Sequence, residues 1–182
     1  MKQSIFQEFF GDPLDRSGKW KTTLLGDACS KITDGTHRSP PTAAEGIPYI
    51  TAKHLKANGL AFFDDPWFVS REDHAAIFSR CNPEKGDVLY IKVGATTGLA
   101  AINNYKFEFS MLSSLALIKP NIEKCCNYYI RDLLNHPSLR KVMLGEMAGA
   151  AIRRLTLTKI KGTLIPLPPI ELQAAYADRI RE

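Results

Sequence analysis

The stretch Lys85-Gly86-Asp87-Val88-Leu89-Tyr90-Ile91-Lys92-Val93-Gly94-Ala95-Thr96-Thr97-Gly98-Leu99-Ala100-Ala101-Ile102 decides the fold. Lys85-Gly86-Asp87 reads as a turn. Val88 to Val93 is apolar and β-branched, with Lys92 at its far end, and predicts a strand. Gly94 to Gly98 turns the chain and Leu99 to Ile102 returns it. A second strand after so short a turn makes a β-hairpin, not the strand-to-helix step of a nucleotide-binding unit. The five-residue turn also lacks the reach and the Gly-Lys-Ser/Thr ending of a phosphate loop.

Working outward, Ser114 to Lys119 is a further strand, and so are Ile47 to Thr51, Leu60 to Phe63 and Thr163 to Leu167. Trp20 to Cys29 reads as a strand followed by a turn at Gly26-Asp27. Glu72 to Phe78 predicts a short helix. From Lys124 to Met147 the apolar period becomes helical, and His136-Pro137 divides it into two helices. Residues 33–46 are rich in Gly, Pro and Thr and predict a long irregular loop, the kind that is usually functional. At the amino end Ile5, Phe6, Phe9 and Phe10 share one helical stripe, and Gly11-Asp12-Pro13 stops it. At the other end Pro168-Pro169 opens a helix whose apolar residues include Ile170, Tyr176 and Ile180. Short strands, two helices, a strand and a helix make an α+β chain: a curved, mainly antiparallel sheet with a small helical subdomain.

The 182 residues suit one domain with short appendages, and 45% hydrophobic content provides a core. No stretch approaches the length of a membrane span and the first ten residues are too polar for a signal-peptide core, so a cytoplasmic location is expected. Cys29, Cys81, Cys125 and Cys126 lack metal-site spacing and predict four reduced thiols. The net charge is +5. Residues 131–161 hold Arg131, Arg140, Lys141, Arg153, Arg154, Lys159 and Lys161 against Asp132 and Glu146, so this stretch carries the whole excess. That concentration is what phosphate binding requires. Signs of catalysis are missing: the histidines form no H-E-x-x-H pair, and there is no G-x-S-x-G elbow, amino-methylation tetrad or nuclease triad. The chain reads as a binder with no metal or cofactor of its own.

Several segments, in order, resemble the specificity subunit of type I restriction-modification enzymes. Phe6-Gln7-Glu8-Phe9-Phe10-Gly11-Asp12-Pro13 is similar to the end of the family's long conserved helix. Leu25-Gly26-Asp27-Ala28-Cys29 resembles its usual domain start. Asp34-Gly35-Thr36-His37-Arg38-Ser39-Pro40 followed by Gly46-Ile47-Pro48-Tyr49-Ile50 matches a recurrent pattern, as does Lys85 to Leu89 running into Val93 to Gly98. Leu155-Thr156-Leu157, then Ile165-Pro166-Leu167-Pro168-Pro169-Ile170-Glu171-Leu172-Gln173, is similar to the exit into the next conserved helix, although the family commonly has Glu-Gln where Leu172 intervenes here.

The resemblance implies a non-catalytic target recognition domain over 14–168, with the end of one conserved helix at 1–13 and the start of the next at 169–182. It implies double-stranded DNA as ligand, one half of a bipartite site as target, and methyltransferase and restriction-translocase subunits as partners. Those subunits would carry S-adenosylmethionine, ATP and Mg. A second recognition domain is implied, in the same chain or by homodimerisation. Thr36, His37 and Arg38 in the long loop, Lys53 and His54 after a strand, Lys92, Thr96 and Thr97 on the hairpin, and Arg153, Arg154 and Lys159 in the basic stretch are the expected DNA contacts; arginine suits guanine through a bidentate bond. Phe6, Phe9, Phe10, Ile170, Tyr176 and Ile180 are the expected partner-interface residues. Two readings compete: an adaptor whose Phe6/Phe9/Phe10 helix is the working surface, and a recognition domain of a TaqI-like methyltransferase.

Overall fold

Val88–Ile91 (β7) lies at the centre of the molecule because its four side chains, three aliphatic and one tyrosine, are all buried and alternate between two faces. In the computed structural model, which describes residues 2–145 and 154–181, β7 belongs to a four-stranded antiparallel sheet. It pairs with Leu115–Pro120 (β10) on one side and Ala100–Ile102 (β8) on the other; Cys29–Asp34 (β2) lies beyond β10, giving the order β2-β10-β7-β8. The hairpin read from Lys85 to Ile102 is therefore β7-β8.

Val88, Tyr90, Ala116 and Ile118 face a helical layer, and Leu89, Ile91, Leu115 and Leu117 face a second β layer. The helical layer holds Lys2–Phe10 (α1), the one-turn Leu25–Ala28 (α2), Asn127–Asn135 (α4), Pro137–Leu144 (α5), Leu157–Lys161 (α6) and Ile170–Arg181 (α7). The second layer has the mixed sheet β6-β3-β9, built from Phe68–Val69 (β6), Ile47–Ile50 (β3) and Ser110–Met111 (β9), and the hairpin of Leu55–Lys56 (β4) and Gly59–Leu60 (β5). Lys21–Leu24 (β1) pairs antiparallel with Leu164–Leu167 (β11), and Arg71–Phe78 (α3) follows β6. The α+β reading holds. The turn expected at Gly26-Asp27 is instead the helical turn α2, because Leu25 and Ala28, three residues apart, both reach the core.

Local chemistry fixes the joints. His136 caps α5 and Pro137 takes its first position, which is why the helical run breaks there. The Asn135 side chain bonds both the N–H (2.9 Å) and the carbonyl (2.8 Å) of Ala100, tying β8 to α4. Gln173 is wholly buried: its amide donates to the carbonyls of Pro168 (2.8 Å) and Lys124 (3.0 Å) and its oxygen accepts from the Cys126 N–H (2.9 Å). All four cysteines are free, and burial pushes the Cys29 and Cys125 thiols up to about 12.

The terminal helices belong to the same core. Phe6 and Phe10 are buried, and the Phe10 ring lies 4.9 Å from Tyr129 and 5.0 Å from Tyr176 on α7. Gly11, at φ +78°, ends α1 in the left-handed region, and the Trp20 indole donates to the Phe10 carbonyl at 2.8 Å. Phe6, Phe10 and Tyr176, expected at a partner surface, are thus buried within the chain; Phe9, Ile170 and Ile180 remain half-exposed. The Tyr176 hydroxyl donates to Asp132 (2.6 Å), which also takes both arms of the Arg131 fork. Tyr176→Phe is expected to cost about 1.5–3 kcal/mol, the worth of a hydrogen bond to a charged group, read as a lower urea midpoint at constant slope.

Candidate nucleic-acid interface

Antiparallel register brings the end of β2, the end of β7 and the start of β10 together: Asp34 stands opposite Ala116, and Ile91 opposite Leu115. The chain leaves the sheet here in loops, and the residues just before β10 stitch them together. Thr36 donates its N–H to the Met111 carbonyl (2.7 Å), and its own carbonyl accepts from Ser113 (2.9 Å). The Lys92 N–H donates to the Ser114 carbonyl (2.8 Å), and the Ser114 hydroxyl accepts from the Ala52 N–H (3.2 Å). Leu155 donates its N–H to the Lys92 carbonyl (2.7 Å), and Val93 bridges Arg154. Loops 34–38, 51–54, 92–98 and 154–157 therefore share one end of the domain.

Between them is a cleft of about 320 Å³ lined by Asp34, His37, Lys92, Ser113, Arg154 and Thr156, among others. Asp34 is its floor, only 2% exposed. One carboxylate oxygen accepts from Lys92 Nζ (2.5 Å) and faces His37 Nε2 (3.2 Å); the other accepts from Arg80 Nη1 (3.3 Å). Arg80 also donates to the Gly35 carbonyl at 2.5 Å. Burial opposes ionisation of Asp34, but the hydrogen bond and charge of Lys92, joined by His37 and Arg80, outweigh it and hold the carboxyl below the usual range.

The expected contacts fall into two groups. Arg38, Thr96 and Arg154 are exposed on these loops, and His37 keeps 70% of its side chain in solvent. Thr36 is half-buried, and its hydroxyl donates to the Arg38 carbonyl (2.8 Å), shaping the loop. Lys159 is half-buried on α6, three residues beyond Thr156, whose hydroxyl accepts from the Lys159 N–H (3.1 Å). Lys92 is buried on Asp34 and Thr97 is buried with its hydroxyl on the Gly94 carbonyl (2.7 Å). Lys53 lies 3.3 Å over the Trp67 ring and pairs with Asp65 at 2.5 Å. His54 is 1% exposed; its ring accepts from the Thr51 N–H (2.9 Å) and meets the Asp65 carbonyl (2.9 Å), so it closes a turn. Burial takes His54 and Thr97 out of reach of a macromolecule. Arg153 lies outside the described residues.

The basic stretch is likewise divided. Arg131 is buried on Asp132, and Arg140 points inward to the Thr97 carbonyl (3.3 Å), whereas Lys141, Arg154 and Lys161 are exposed. Asp34, Arg80, Ser113 and Thr156 are the site residues that sequence reasoning missed. Asp34 and Thr156 lie inside the quoted motifs and carried that much signal; Arg80 and Ser113 carried none. No group of three or more metal-binding side chains occurs among the described residues, and no helix among them is long and apolar enough to cross a membrane.

This architecture is shared with solved subunits of type I restriction-modification systems. The HsdS subunit from Thermoanaerobacter tengcongensis superposes on 99% of this chain with a TM-score of 0.65 at 23% identity, using 42% of its own length. A chain from a type I R-M system solved to explain complex assembly and conformational transition gives 0.69 at 24% identity, over 99% of this chain and 43% of that one. In sequence, the putative type I restriction enzyme MjaX specificity subunit of Methanocaldococcus jannaschii is 28% identical over 172 residues, 89% of this chain and 36% of that protein. The model of the type I restriction modification DNA specificity domain matches residues 17–181, and the chain belongs to that family. It spans about a third of the curated relative and less than half of the solved chains it matches.

Proposed function

We propose that the loop end of this domain reads duplex DNA, as one recognition module of a type I restriction-modification specificity subunit. The observation that carries this is the convergence of four separate loops on one end of the sheet, with Arg38, His37, Thr96 and Arg154 outward and a cationic cleft between them. Loops on a rigid sheet can place several side chains along a groove at once, which base reading requires. Cations on the same loops attract the phosphates. On this reading the module takes one half of a bipartite site, and methyltransferase and translocating restriction subunits act on the DNA it selects. S-adenosylmethionine, ATP and Mg belong to those subunits, and the assembly works in the cytoplasm.

Residues 1–13 and 169–182 are read as parts of the conserved helices flanking a recognition body at 14–168. In support, α1 and α7 pack on each other, a root from which paired helices could lead to a second recognition domain, in the same chain or in another copy. Half-exposed Phe9, Ile170 and Ile180 are the residues left to meet a partner there. The adaptor reading loses its surface, because Phe6 and Phe10 are spent on the core.

Arg38→Ala combined with Arg154→Ala tests the reading on the exposed side of the loops. Each phosphate contact removed should lower the slope of log affinity against log salt by about 0.9, and a lost base contact should cost about 1–3 kcal/mol for the preferred sequence. Fluorescence anisotropy over a salt series measures both. An unchanged affinity and slope would place the DNA surface elsewhere.

A further inference from the structure

We infer that the cleft over Asp34 is a seat for a single phosphate of the DNA backbone, with Asp34 as the positioning residue that builds it. This rests on the DNA reading above and adds which group binds where. The argument is one of donors and acceptors. Asp34 is the only carboxylate among the described residues lining the cleft, and both of its oxygens are already engaged, by Lys92 and His37 on one side and Arg80 on the other. The other polar side chains of the lining all carry donors: the Lys92 ammonium, which has three N–H groups, the His37 ring, the Arg154 guanidinium and the Ser113 and Thr156 hydroxyls. A base edge offers donors and acceptors in alternation and would leave such a cleft mismatched. A phosphodiester offers acceptors only and carries the charge opposite to that of Lys92 and Arg80, two cations that share the single carboxylate of Asp34.

Asp34 acts through the others. Without it, a lysine ammonium at this depth would have no counter-charge, and Lys92 is only 6% exposed. With it, Lys92 and His37 are fixed within 3.2 Å of one oxygen at the bottom of the cleft. Gly35, directly after it, brings the loop backbone so close to Met111 that Ser113 becomes part of the same wall.

The test is a methylphosphonate scan: a duplex selected from a random pool, with one backbone phosphate at a time made neutral, titrated with the wild-type chain and two variants. For the wild-type chain, one position aligned with the cleft should weaken binding about tenfold, as the loss of a charge-assisted hydrogen bond does. His37→Ala/Ser113→Ala alters only the lip, so its fold is not at risk. It should bring sensitivity at that one position to within about twofold, leaving the others as they were. Asp34→Asn, close in shape, should erase the same position; a merely structural role would weaken all positions alike. Identical scans for the wild type and the lip variant would overturn the seat while leaving DNA binding intact. A wild-type chain that retains no duplex would overturn both. Millimolar inorganic phosphate at constant ionic strength separates the sources. DNA binding untouched by it supports a backbone seat, and displacement that vanishes in the lip variant assigns the cleft to free phosphate instead.

Discussion

Gly35→Ala is expected to lower the free energy of unfolding by about 3 kcal/mol or more. A Cβ there would stand 2.0 Å from the Met111 carbonyl oxygen and 2.5 Å from the Leu112 carbonyl carbon. These are backbone atoms held on both sides, by the Thr36 N–H on the Met111 carbonyl and by the Leu112 N–H on the Ile50 carbonyl (3.0 Å), so nothing flexible can give way. The two loops would have to part, carrying Thr36, His37 and Arg38 away from Ser113. Urea unfolding followed by tryptophan fluorescence reads the loss. Gly145→Ala is the control: a Cβ at Gly145 meets nothing within 4 Å and its φ is −60°, so that variant should be neutral or slightly more stable. Equal stability of the two variants would show that the close approach at Gly35 is not a constraint.

Lys92→Ala is expected to cost about 3 kcal/mol, because it takes the nearest counter-charge from a buried carboxylate, leaving Arg80 and His37 on it, and opens a cavity beside it. Lys92→Met combined with Asp34→Asn removes both charges at similar volume and should recover most of that loss, which separates a charge effect from a packing effect. Linkage gives a second reading. The folded-state pKa of Asp34 lies below its unfolded value, so its contribution to stability is present above the ordinary carboxylate range near 4 and is lost as pH falls through the folded pKa. The wild type should therefore lose stability below about pH 4 more steeply than the double variant. Parallel pH profiles would contradict the ion pair.

Much of the fold could be read from the chain. A continuous apolar, β-branched run marked β7, the turn glycines after it marked its return as β8, and His136-Pro137 marked the break between α4 and α5, because these signals are local. The site was legible in part. Its loops stood out by composition, but what holds them together is long-range: Lys92 is 58 residues from Asp34, and Arg80 is 46. Nothing near Ser113 in sequence shows that it joins the wall of a cleft. The basic stretch misled for a different reason. Counting charge ignored that Arg131 is adjacent to Asp132, which takes both arms of its fork. His54 is similar: Thr51 and His54 have the three-residue spacing of a side chain that bonds back to its own turn, a local signal outweighed by the attraction of a histidine beside lysines.

The central claim is that one end of this domain reads DNA sequence, and selection from a random duplex pool tests it most directly. Repeated capture by the wild-type chain at moderate salt, with the retained duplexes sequenced, should enrich one short contiguous motif, and Arg38→Ala should degrade that motif at particular positions while others persist. Retained duplexes that show no enrichment over the starting pool, with the wild type and Arg38→Ala alike, would contradict it.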